Sequence, residues 1–398
     1  MGLRVRSVSV FGATGSIGES TFDLLMREGG PRAFRCVALT GARNIKRLAE
    51  MAQALQAEIA VTAHEECLAD LRDALAGTGI KAAAGQAAIA EAADRPADWV
   101  MSAIVGAAGL VPGLRALRHG GTLALANKES LVTAGPLLLA TARQYGATLL
   151  PVDSEHSAVF QALTGEDRSA VERVIITASG GPFRDFTREQ MAAITPAEAV
   201  AHPNWSMGAR ISIDSASMFN KALELIETRE FFGFAPDQIE VLVHPQSVVH
   251  ALVGFCDGGI MAHLGPADMR HAIGFALHWP RRGAVPVERI DLAQIAQLSF
   301  EKPDPERFPA LRLARDVMAA RGLSGAAFNA AKEIALDHFI GGNLPFLAMS
   351  EVVEETLARL SRQNSLGIAV CTLEEVLSMD HLARKAATEA VKSWQQGN

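Results

Sequence analysis

Ser7-Val8-Ser9-Val10-Phe11 reads as a buried strand and passes at once into Gly12-Ala13-Thr14-Gly15-Ser16-Ile17-Gly18, then into a helical pattern through Leu24, Leu25 and Met26. No other stretch restricts the fold so strongly. Glycines three apart let the backbone turn tightly and approach a pyrophosphate, whose charge is met by N–H groups at the helix N-terminus. The spacing is G-x-x-G-x-x-G, not the G-x-G-x-x-G of the standard fingerprint, and a glycine-rich turn needs no ligand. Its place directly after the first strand favours the phosphate-binding reading.

The pattern then alternates. A strand at Phe34 to Leu39 is followed by a helix at Ile45 to Leu55, a strand at Glu58 to Val61, a helix at Glu65 to Leu75, a strand near Ile80 and a helix around Ala87. Trp99 to Ile104, Thr122 to Ala126 and Thr148 to Pro151 complete the strands, with a helix from the Asn127-Lys128-Glu129-Ser130 stretch to about Tyr145. This predicts an α/β fold whose residues 1–152 form a Rossmann-like, doubly wound parallel sheet. Ligands of such sheets sit at the carboxyl ends of the strands. After the second strand comes Thr40-Gly41-Ala42-Arg43-Asn44, where NAD-binding folds usually place an acidic residue. Arg43 there suits the 2′-phosphate of NADP, although a surface loop also accepts an arginine.

Pro151-Val152-Asp153-Ser154-Glu155-His156 closes this half. If extended, it puts Asp153 and Glu155 on one face and Ser154 on the other. Two such carboxylates repel unless a cation lies between them, and oxygen ligands suit Mg²⁺ or Mn²⁺. An acidic cap before a helix is the alternative.

Beyond residue 152 the texture predicts a central α+β domain (153–279), a linker rich in proline and charge (280–309) and a C-terminal helical bundle (310–398). In the central part, Ser179-Gly180-Gly181 follows a strand and offers a hydroxyl and open N–H groups to an anion. Ala201 to Gly208, carrying His202 and Trp205, reads as a lid, or as a loop whose Trp packs on the domain. Ile211 to Asp214 alternates as a strand and leads into a helix from Ser215, which sits at its start, through Asn220, Lys221 and Glu224 to Glu227. Asn220 and Glu224 share a face of that helix. Further strands are expected at Ile239 to Val243, Val248 to Phe255 and Ile260 to His263, the last two joined by an Asp257-Gly258-Gly259 hairpin. C-terminal helices are expected at Leu311 to Ala320, Ala326 to Phe339, Pro345 to Leu360 and from about His381.

Composition bounds the partners. With 398 residues, 49% hydrophobic and 20% charged, the chain has material for several cores. A net charge of -7 argues against a nucleic-acid surface. Cys36, Cys67, Cys256 and Cys371 lack zinc or disulfide spacing. The first strand begins at Arg6, too early for a signal peptide, and no apolar run approaches the roughly 18 residues of a membrane span. A cytoplasmic protein acting on small molecules, without nucleic-acid or membrane partners, is expected.

The motifs G-A-T-G-S-I-G (12–18), A-N-K-E-S (126–130), P-V-D-S-E-H (151–156), A-S-G-G-P-F (178–183), H-P-N-W-S-M-G (202–208) and D-S-A-S-M-F-N-K (214–221), in that order, resemble the 1-deoxy-D-xylulose 5-phosphate reductoisomerase family. The resemblance spans essentially the whole chain. It implies NADPH- and metal-dependent rearrangement and reduction of that sugar phosphate to 2-C-methyl-D-erythritol 4-phosphate, on the methylerythritol phosphate route to isoprenoids. It further implies that Asp153, Glu155 and Glu224 hold Mg²⁺ or Mn²⁺, with Co²⁺ as a further candidate. Ser179, Ser215, Asn220 and Lys221 would bind the phosphate, His202 and Trp205 would stand in the lid, and Lys128 and Ser154 would lie near the reacting carbons. Thr14, Gly15, Ser16, Ile17, Ala42, Arg43, Asn44, Asn127, Glu129 and Gly208 would contact NADPH, and the enzyme would be a homodimer. Two positions depart from the family's usual pattern: its Asn-Glu pair reads Lys332-Glu333, and the Gly-Lys-Asn of some members reads Ala42-Arg43-Asn44. Rival readings are a semialdehyde dehydrogenase, which needs a nucleophilic cysteine such as Cys256, and a non-enzymatic NADP sensor.

Overall fold

A computed structural model describes residues 5–201, 205, 208–363, 365–367, 369 and 372–397. The chain divides into two compact units: Met1–Ser130 with Leu138–Ser157 and Asp268–Val287, and Leu131–Leu137 with Ala158–Ala267 and Glu288–Asn398.

The first unit is built on β1 (Arg6–Phe11), β2 (Phe34–Gly41), β3 (Ile59–Thr62), β4 (Lys81–Ala84), β5 (Trp99–Ser102), β6 (Thr122–Leu125) and β7 (Thr148–Pro151), in the order β4-β3-β2-β1-β5-β6-β7. Every pairing in this sheet is parallel. Its connections are α1 (Ser16–Arg27), α2 (Ile45–Ala54), α3 (Leu68–Ala74), α4 (Gly85–Ala93), α5 (Leu110–Leu117) and α6 (Lys128–Tyr145). The doubly wound sheet is therefore present, and its strand order reverses between β1 and β5, the place where such folds open a crevice for a ligand. β1 and β5 are almost wholly buried, so both read as continuous runs rather than alternating ones. α6 is broken at Ala134, whose φ is -144°, two residues before Pro136, which has no N–H to donate. α7 (Ser154–Ala162) follows β7 and carries the chain from the first unit into the second.

The second unit contains β8 (Val171–Ala178), the short helices α8 (Arg188–Met191) and α9 (Pro196–Ala199), α10 (Ala209–Ala216), α11 (Phe219–Phe232), β9 (Ile239–Val243), β10 (Val249–Phe255) and β11 (Ile260–Leu264). The four strands form a mixed sheet in the order β11-β10-β8-β9, antiparallel except between β8 and β9. The β10–β11 hairpin turns where it was expected, with Gly258 at φ +86° and its N–H donating to the Phe255 carbonyl at 3.0 Å. α12 (Arg270–His278) belongs to the first unit, where the Trp99 indole N–H donates to the Ala276 carbonyl at 3.0 Å. Within the expected linker lie α13 (Leu292–Ile295) and Glu301, whose backbone pairs with Val243 of β9. The last four helices are α14 (Ala310–Ala320), α15 (Ser324–Ile340), α16 (Ala348–Arg362) and α17 (Leu373–Gly397). Their apolar faces join β8, β9 and α11 in one core that includes Val174, Ile176, Leu223, Ile226, Phe328 and Phe339.

Several local expectations fail. Ile211 to Asp214 is not a strand but part of α10. Ser212, Ile213 and Asp214 are all buried, so tertiary packing overrides the two-residue alternation. Ser154 and Glu155 are the first residues of α7, not extended chain, so the alternation argument for Asp153 and Glu155 does not apply. α17 starts at Leu373, well before His381.

Candidate active site

In the first unit the glycine loop lies where the strand order reverses. A Cβ on Gly12, whose φ is +87°, would stand 2.4 Å from the Ala103 carbonyl oxygen, and one on Gly18 would stand 2.2 Å from that of Ala13. Only glycine lets the loop after β1 pass so close to the loop after β5, and lets α1 begin so tightly. Gly15 caps α1 without a side-chain hydrogen bond, and Gly15 and Ser16 are exposed there, while Thr14 and Ile17 are half-buried. Gly41 keeps the end of β2 against Thr14, since a Cβ on it would lie 3.2 Å from the Thr14 hydroxyl. The exposed Ala42, Arg43 and Asn44 are thereby set beside the glycine loop. Asn44 caps α2 by accepting from the Arg47 N–H at 3.3 Å. A carboxylate does reach this corner, from after β3: Glu66 pairs with Arg43 at 2.9 Å in the open. Local sequence around β2 gives no sign of it.

The Asn127 amide donates to the Ile104 and Gly106 carbonyls at 2.6 and 2.9 Å and to Glu129 at 3.0 Å. Its oxygen accepts from the Ser130 N–H, so this one side chain ties the loop after β5 to the first turn of α6. Lys128, next to it, is buried and forms an ion pair with Asp153 at the end of β7. The buried His156 ring stands 3.8 Å from the same carboxylate oxygen. Burial by itself would raise the Asp153 carboxyl, yet the Lys128 ammonium and the His156 ring hold it well below the usual carboxylate range. The Asp153 carbonyl accepts the first α7 hydrogen bond, from the Ser157 N–H, and Ser154 donates its hydroxyl to Glu155 at 2.6 Å. Asp153 precedes a helix, as the capping alternative expects, and its side chain is paired with the Lys128 ammonium.

In the second unit three segments converge. Ser179-Gly180-Gly181 leaves β8 with both glycines at positive φ, and the Gly181 N–H donates to the Ser179 hydroxyl at 3.2 Å. A Cβ on Gly181 would lie 3.1 Å from the Ser215 carbonyl oxygen, so the turn is seated on the end of α10. Ser215 therefore belongs to the last turn of α10, not to a helix start. Met218 at φ +61° turns the chain into α11. There Asn220 donates to Glu224 at 2.6 Å, and the Lys221 ammonium pairs with the other oxygen of Glu224. Lys221 and Glu224 are buried, as is Glu227 one turn on. A helix that buries an ammonium and two carboxylates is not a solvated surface, and burial of this kind is costly unless the charges are paired, as Lys221 and Glu224 are. Glu227 was not singled out by sequence; nothing in its spacing separates it from an ordinary helix-surface glutamate.

Trp205 is half-buried with its ring 6.3 Å from that of His250, and Gly208 is the exposed N-cap of α10. His202 lies outside the described residues. Cys256 is exposed in the turn after β10.

The fold is that of the doubly wound α/β class, and with the chain's relatives it defines an NADP-dependent oxidoreductase. Residues 8–135 match the family model of 1-deoxy-D-xylulose 5-phosphate reductoisomerase, 149–232 match that enzyme's C-terminal domain model, and 264–386 match a DXP reductoisomerase C-terminal domain. The chain belongs to the 1-deoxy-D-xylulose 5-phosphate reductoisomerase family. A relative of that name from Cereibacter sphaeroides is 78% identical over 392 residues, covering 98% of this chain and 100% of its own. One from a Jannaschia species is 66% identical over 383 residues, 96% and 97% of the two chains. A crystal structure of DOX-P reductoisomerase in complex with NADPH, fosmidomycin and magnesium matches with a TM-score of 0.93 at 38% identity, over 99% of this chain and 100% of that one. The Zymomonas mobilis enzyme in complex with NADPH matches at 0.90 and 47% identity, over 98% and 100%. Membership of this family leaves no place for the semialdehyde-dehydrogenase or sensor readings.

Proposed function

We propose that the chain converts 1-deoxy-D-xylulose 5-phosphate to 2-C-methyl-D-erythritol 4-phosphate using NADPH and a divalent cation. The observation that carries this reading is a pair of charge-held carboxylates, Asp153 beside Lys128 and Glu224 beside Lys221, in a chain of this family. Asp153, Glu155 and Glu224 are oxygen donors only, which fits Mg²⁺ or Mn²⁺ and disfavours soft metals. The glycine loop, with no room for a Cβ at Gly12 or Gly18, fits the pyrophosphate of a dinucleotide. When bound, the cation supplies a Lewis acid for the sugar's ketone, and NADPH supplies the hydride that reduces the rearranged aldehyde.

The chain's own residues bind, orient and shield. Ser179, Ser215, Asn220 and Lys221 hold the phosphate, distant from the reacting carbons, so that the sugar stays in register while its carbon skeleton rearranges. Lys128 and Ser154 attend the sugar backbone, with the Lys128 ammonium keeping Asp153 ionised. Arg43, with Ala42, Asn44 and Thr14, receives the 2′-phosphate end of NADPH, releasing Glu66. Gly15, Ser16, Ile17, Asn127, Glu129 and Gly208 line its remaining length. His202 and Trp205 cover the substrate and exclude water.

The protein acts as a cytoplasmic homodimer joined through the central sheet. Support for the dimer comes from β11, an edge strand that exposes Ile260 and Met261 at 51% and 40%; among the described residues no helix is long and apolar enough to cross a membrane. The deciding assay is NADPH consumption by purified protein with the sugar phosphate and Mg²⁺ or Mn²⁺. Turnover is expected with all components and none after chelation; no consumption under any metal would overturn the reading.

A further inference from the structure

Asp214 stands directly before Ser215 on α10, and its carboxylate is buried. Its partner is Lys332 of α15, 118 positions along the chain, whose ammonium lies 2.9 Å away with 3% of its side chain exposed, against 9% for Asp214. Behind Lys332 the charges alternate. Glu333 accepts from Arg384 of α17 at 2.6 Å and from Asn329 at 3.0 Å, and Arg384 also pairs with Asp380 at 2.7 Å. Burial works against the Glu333 carboxyl, but Lys332 and Arg384 hold it below its ordinary value. A chain of opposite charges thus runs from α17 through α15 to the end of α10.

That end of α10 is also where the Ser179-Gly180-Gly181 turn is seated, with Gly181 against the Ser215 and Ala216 backbone. α10 ends at Ala216, and Met218 is held at positive φ before α11 begins. The last turn of α10 is therefore gripped on one face by a glycine turn and tied on another by a buried ammonium. A buried ion pair is weak evidence for stability, because desolvation offsets the attraction; its better-attested use is to fix one geometry among several.

We infer that Lys332 is a positioning residue: through Asp214 it fixes the last turn of α10, and so the placement of Ser215 toward the substrate phosphate. This rests on the reading of Ser215 as a phosphate ligand. Lys332 itself touches Asp214, not the substrate, so its loss should appear in sugar-phosphate binding and leave the cofactor alone.

The test measures KM for 1-deoxy-D-xylulose 5-phosphate and for NADPH, with kcat, in Lys332→Met, Ser215→Ala and the double variant, under saturating Mg²⁺. A small misplacement of a binding group costs on the order of ten- to a hundred-fold. Lys332→Met is expected to raise the sugar-phosphate KM at least about ten-fold while the NADPH KM is unchanged. Because Lys332 acts through Ser215, the double variant should be no worse than Ser215→Ala. Multiplying effects, an unchanged sugar-phosphate KM in Lys332→Met, or an equal rise in both KM values would overturn the inference. Asp214→Asn/Lys332→Met, which buries no unpaired charge, covers the case in which Lys332→Met does not fold; it should fold and keep the raised KM. A return to the wild-type KM in that variant would show charge compensation alone and overturn the proposal. An unchanged KM in Ser215→Ala would instead overturn the phosphate reading on which it rests.

Discussion

At the residue scale the proposed chemistry rests on carboxylates set beside ammonium groups, Asp153 by Lys128 and Glu224 by Lys221. Glu224 accepts from Asn220 and pairs with Lys221, so both its oxygens are engaged from within its own helix. Glu224→Gln keeps the shape but loses the charge that a cation needs. Metal stabilisation of developing charge is worth several kcal/mol, and each 1.4 kcal/mol is about ten-fold in rate, so kcat is expected to fall at least about 100-fold. NADPH affinity, measured by fluorescence titration, should remain as in the wild type. Equal loss of both would mean a collapsed fold rather than a missing ligand. Sequence made Asp153, Glu155 and Glu224 visible as residue types suited to a hard cation. Glu224 stood out through its neighbours Asn220 and Lys221 and was assigned to the metal by the family resemblance; Glu227, equally buried on the same helix, has no such neighbours in sequence and passed unnoticed.

Elements place those residues, and in the first unit the reading from sequence succeeded through the repeated alternation of strands and helices rather than through long periods, since β3 to β7 have four residues each. β1 runs straight into the glycine loop and β5 is buried throughout, so their positions were legible, while the strand expected near Ile80 is β4, one residue further on. The expected strand at Ile211 to Asp214 failed because four residues fit either period, and packing around α10 settled the choice. Ser154 and Glu155 failed for a related reason: a helix begins at Ser154, and six residues of mixed polarity hold no periodic signal. The glycine loop gives a test at this scale. Gly12→Ala would place a methyl group 2.4 Å from the Ala103 carbonyl oxygen at φ +87°, forcing the loops after β1 and β5 apart. Strain of this kind costs about 1–3 kcal/mol, to be read as a lowered Tm. It should be accompanied by an NADPH KM raised at least about ten-fold for a displaced binding loop, with the Tm loss persisting in the absence of cofactor.

For the whole molecule, the sheet edge at β11 is the feature that asks for a partner. Long exposed edge strands with apolar side chains invite pairing with another chain. Ile260 and Met261 lie on such an edge, and a second copy would cover them. Met261→Glu is expected to shift the mass measured by light scattering from dimer toward monomer; a wild-type protein already monomeric at micromolar concentration would remove the homodimer from the proposal.

By itself the sequence determined what local periodicity and turn chemistry can encode: a parallel sheet with a glycine loop after its first strand, a hairpin at Asp257-Gly258-Gly259, helices toward the C-terminus, and the residue types of a phosphate- and metal-using site. Only the tertiary structure decided which of those residues meet. Asp214 and Lys332 are 118 positions apart, Lys128 follows β6 while Asp153 follows β7, and Glu66 reaches Arg43 from beyond the end of a neighbouring strand. Such contacts follow from strand order and helix packing, which depend on the sum of many weak burials along the chain, and no short stretch carries that sum.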